Sequence, residues 1–144
     1  MAFKQIASLL SLTGVLAGCA AGSGTAGVQP QDLRKPAYLV TEVLVGDMNF
    51  PILQNNLFQH RAACGSAPRF VMHERETSYA SLIETAGLPA SYENVVMLDL
   101  IQYPESRRSP MRVVARAYSY YQNAEVRRRV ERMLAAVRTP GVCE

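Results

Sequence analysis

The chain has 144 residues, of which 49% are hydrophobic and 19% charged, with a formal net charge of +3. This apolar content excludes a disordered chain and suffices for one modest core, whereas so small a net charge excludes no class of partner by itself. The charge is unevenly spread: residues 38–102 carry seven acids against three bases, and residues 103–144 nine bases against four acids.

The N-terminus opens with a positive Lys4, followed by an apolar run at 6–16 broken only by Ser8, Ser11, Thr13 and Gly14. That run is too short for a permanent bilayer span and fits a removable secretory signal at 1–18. It ends on Leu16-Ala17-Gly18-Cys19, where a branched residue and two small ones precede a cysteine. These four residues resemble the lipobox of bacterial lipoproteins. The resemblance covers residues 1–22 and implies cleavage before Cys19, whose thiol becomes a thioether to diacylglycerol and which carries further acyl chains such as palmitate. Ala20, rather than an aspartate, follows that cysteine. In such lipoproteins this implies retention at the outer membrane, with the folded part facing the periplasm. Several acyl chains would hold the protein on the membrane, which one chain does only reversibly. An ordinary signal peptide cut near Ala20-Ala21 is the alternative reading of the same residues.

Residues 19–37 are rich in Gly, Ala, Ser and Pro and read as a flexible tether, leaving 38–144 as one domain. A β-branched strand is expected at 38–45, ended by Gly46-Asp47, and a helix at 50–65, with Pro51 in its first turn and Gly65 as its stop. Ile52, Leu53, Leu57 and Phe58 recur at helical spacing there. Residues 69–77 alternate like an edge strand, and 79–88 reads as a short helix stopped by Gly87 and Pro89. The densest apolar run, 92–103, predicts a central strand interrupted only by Asp99, paired through a turn with a strand at 111–121. The last helix is capped by Asn123, carries the stripe Val126, Val130, Met133, Leu134 and Val137, and is stopped by Pro140-Gly141.

This order predicts an α+β fold: a two-layer sandwich with a mostly antiparallel four-stranded sheet and two main helices on one face. Arg112, Arg116, Tyr118 and Tyr120 would then share the other face and form a possible binding face. Asp99 would pair across strands with Arg116 or Arg112. No nucleophile elbow, phosphate loop or zinc spacing is present, so no catalytic residue, metal or cofactor is expected. His60 and Cys64, four apart, invite a thiol/imidazole reading. With Cys19 consumed by acylation in an oxidising compartment, however, Cys64 pairs with Cys143 as a disulfide. Arg127-Arg128-Arg129 reads as the solvated face of a helix, with no nucleic-acid role behind a periplasmic address. The expected function is a non-enzymatic binding or assembly subunit of an envelope complex, meeting a protein or anionic lipid. The alternative is an enzyme acting on cell-wall or lipid substrates.

Overall fold

The computed structural model describes residues 27–143; the signal segment, the lipobox and Cys19 lie outside the described residues. The frame is a five-stranded sheet made of β1 (Leu39–Gly46), β2 (Arg69–Met72), β3 (Tyr79–Ile83), β4 (Met97–Tyr103) and β5 (Arg112–Tyr118). Its spatial order is β1-β5-β4-β3-β2, and every pairing is antiparallel. The helices are α1 (Pro30–Leu33), α2 (Phe50–Cys64) and α3 (Ala124–Arg138), with a 3-10 turn at Pro36–Tyr38. Among the described residues, no helix is long and apolar enough to cross a membrane.

Local chemistry fixes the two long helices. The side chain of Asn49 accepts from the Ile52 N–H and that of Asn123 from the Val126 N–H, so each helix start has one of its unpaired donors satisfied. Gly65 ends α2 at φ 78°, a left-handed conformation that glycine adopts without penalty. The α3 stripe is buried as its spacing predicts, and Arg138 in its last turn donates to the carbonyls of Leu44 and Val45, tying the helix end to β1. α2 buries Phe50, Leu53 and Leu57 but leaves Ile52 and Phe58 exposed, Phe58 by 72%, a narrower stripe than the sequence implies. Both helices lie over Leu82, Leu98, Leu100, Val113, Ala115 and Ala117. The small alanines of β5 let them approach the sheet closely.

Three expectations are corrected. The sheet has five strands because residues 79–83 form β3, not part of a short helix. This segment pairs with a strand on each side and is buried on both faces, Ala80 and Leu82 toward the helices and Ser81 and Ile83 away from them. Such a central strand need not alternate in polarity, and strand pairing overrides its weak helical pattern. β2 stops at Met72, and β4 begins only at Met97, the preceding Tyr92, Val95 and Val96 being buried in a loop. Finally, residues 27–37 are not a tether. Leu33 is 0% exposed, the Val28 carbonyl accepts from the Tyr92 N–H at 2.7 Å, and Gly27 lies so close to Ser91 that a Cβ would clash. This strap folds back over the sheet face opposite the long helices.

Candidate functional site

The strand register arranges that second face in rows. In the first, Tyr118, Met97 and Ile83 stand side by side and are sealed by Leu33, Tyr92 and Val95. The next row is polar: Glu42, Arg116, Asp99 and Ser81 on four adjacent strands. The third is apolar again, with Leu44, Val114, Ile101 and Tyr79 in register, and beyond it the Arg112 guanidinium lies 5.2 Å over the Tyr103 ring. Leu44 is 53% and Tyr79 40% exposed, and Val114 and Ile101 are half-buried. The strap covers the first row and reaches the second, so this apolar row faces solvent.

Charge in the polar row is matched internally. Arg34, from the strap, donates through Nε to Asp99 Oδ2 at 2.6 Å and through Nη2 to Oδ1 at 3.0 Å, a two-point guanidinium–carboxylate match. Ser81 donates to Asp99 Oδ1 at 2.8 Å and lies 3.3 Å from Arg34 Nη2. The Asp99 carboxylate raises the Arg34 pKa further, against an opposing effect of burial. Arg116 is held by Glu42 instead, which likewise raises its pKa. Asp99's partner is therefore neither strand arginine expected for it. The pKa of Tyr118 is raised chiefly by burial and further by the nearby Asp99 charge.

The four residues expected to share a binding face have different surroundings. Tyr118 is buried, Arg116 is exposed but ion-paired, and Tyr120, beyond the end of β5, stacks on Tyr38 at 5.3 Å between centroids. Of the four, Arg112 and Arg116 flank the open apolar row, one on each side. Leu44, Val114 and Ile101 were legible as strand residues and Tyr79 was read as helical, but alternation alone does not tell whether the face they share is covered. The signal for the strap was fainter: Pro30 at a helix start, Leu33 as a lone bulky apolar residue, and Asp32 spaced to pair with Lys35.

Cys64 and Cys143 form a disulfide with Cα atoms 5.5 Å apart. His60 Nδ1 lies 3.8 Å from Cys64 Sγ, but the bridged sulfur is no thiol nucleophile. Among the described residues, no group of three or more His, Cys, Asp or Glu side chains is placed to hold a metal ion. No protein-family model matches the chain, and no curated protein or solved structure is significantly similar to it.

Proposed function

We propose that the protein is an outer-membrane lipoprotein, anchored through Cys19, that serves as a non-enzymatic binding or assembly subunit of an envelope complex. The observation that carries this reading is the exposed row Leu44, Val114, Ile101 and Tyr79, an apolar strip crossing four strands. Contiguous exposed apolar surface of this kind is costly in water and marks an interaction site. Of the charges beside it, Arg116 is paired with Glu42 and Arg34 with Asp99, and Arg112 lies over the Tyr103 ring. That balance favours an apolar protein surface as the partner over anionic lipid headgroups.

The test places a photo-crosslinking residue at Tyr79 or Leu44 and, as a control, at the exposed Gln54 of α2, in the lipidated protein in its own membranes. One discrete envelope protein captured from the first two positions and not from the third is the expected result, lost in Leu44→Glu. Capture of lipid alone, or equal capture from all three positions, overturns the reading.

A further inference from the structure

The helix side of the molecule holds a cleft of about 330 Å3 between the second half of α2, the middle of α3 and the connector that follows α2. This volume lies at the small end of the range for small-molecule sites. The cleft lining includes Met133 and Ala136, both buried, with Ala67 and Pro68 beside them, and the Cys64–Cys143 bridge forms part of its wall.

Two arginines one turn apart line the cleft and differ in state. Arg129 is saturated: its Nε donates to Glu84 Oε1 at 2.8 Å and its Nη2 to the Asn94 carbonyl at 2.8 Å, and the Glu84 carboxylate, also in the lining, holds its pKa up. Arg132 is not. Its nearest carboxylate oxygen, Oε1 of Glu125, is 3.6 Å away, and the other oxygen of that carboxylate is already held by Arg128. Among the described residues, this long ion pair is its one carboxylate contact, and the Arg132 side chain is 45% exposed. It brings a forked, permanently charged donor to a cleft whose lining is polar and apolar in about equal measure, with His60 on the α2 side.

We propose that this cleft is a binding site for a small amphiphilic carboxylate, its anionic end on Arg132 and its apolar body against Ala67, Pro68, Val142 and the disulfide. The guanidinium fork matches a carboxylate in two-point geometry, and the apolar half of the lining rewards a hydrocarbon chain over a fully polar anion. The cleft is too small for a folded partner. The proposal does not rest on the lipid anchor or on the sheet face. Two sources can supply the group: a free molecule, or the side chain of Glu144, which follows Cys143 in the sequence.

The test uses octanoate, with uncharged 1-octanol as control, titrated into isotopically labelled, disulfide-intact protein and followed by amide chemical shifts. Saturable shifts at Ala67, Arg132 and Met133 are expected with octanoate, with binding about tenfold or more tighter than octanol's. Arg132→Gln should bring octanoate down to the octanol level. Arg127→Gln, on the same helix but exposed and outside the cleft lining, should leave the affinity unchanged. Octanoate binding in Glu144→Gln but not in the wild type identifies the chain's own carboxylate as the occupant, which supports the same site chemistry. Equal losses in both arginine variants, shifts confined to the sheet face, or no saturable binding in either the wild type or Glu144→Gln overturns the proposal.

Discussion

Asp99 stands in a buried strand with an arginine directly across from it, yet it is held by a residue 65 positions away. Arg116 is committed to Glu42 and Arg112 to the Tyr103 ring, which leaves Asp99 to Arg34 and Ser81. Arg34→Ala leaves that carboxylate, only 18% exposed, with the serine alone and should destabilise the fold by about 2 kcal/mol in urea titrations. Asp99→Asn should cost less, because its freed partner guanidinium can turn to water. A double-mutant cycle should report a coupling of about 1 kcal/mol or more; additivity would mean the pair is merely adjacent. Tyr118 gives a prediction of opposite chemistry. Its pKa is raised above 10.0 in the folded state, so the folded chain holds the phenol proton more tightly than the unfolded one. Its contribution is therefore complete below about pH 10 and is lost as pH rises through the folded value. Tyr118→Phe should flatten the alkaline fall in stability, measured by denaturation between pH 9 and 11. The sequence marks Asp99 as an acid in need of a partner but not which one, since the answer depends on the strap folding back.

At the scale of elements, α3 is the most legible in the sequence, because its cap, dipole charges, stripe and stop all agree. Asn123→Ala should remove the bond to the Val126 N–H and cost about 1 kcal/mol, read as a lower urea midpoint at unchanged slope. β3 was illegible for the opposite reason: the weak helical look of residues 79–88 is outweighed by pairing with β2 and β4, which no local pattern reports. The disulfide joins the end of α2 to the turn beyond α3 across a sequence separation of 79. In the chain-entropy model a loop of that length stabilises by about 4 to 5 kcal/mol. Thermal melts with and without reductant should differ accordingly; a negligible difference would mean that the reduced chain keeps the same restraint by packing. Cysteine parity made this bridge readable in the sequence, whereas the cleft beside it depends on how α2 and α3 diverge, which helix periodicity does not encode.

At the scale of the whole molecule, the layering was readable because α3 carries one clear apolar stripe and the strands supply the complementary face. What lies on the other face was not, since part of its cover comes from a segment whose composition reads as linker. On the proposed lipid anchoring, Cys19→Ala should leave the protein out of the outer-membrane fraction on flotation with its melting temperature unchanged; a variant that still floats would be held by something other than the cysteine. The docked strap has a mechanical consequence. A pull arriving from the N-terminal side meets the Val28–Tyr92 hydrogen bond, the Leu33 socket and the Arg34–Asp99 pair before it meets β1. The strap thus acts as a fuse in series with the sheet. In optical-tweezer stretching from residue 27 against the C-terminal end, a small extension of about 40 Å, the length of the peeled residues 27–38, should precede rupture of the sheet. In Arg34→Ala that first step should move to lower force while the second stays where it was.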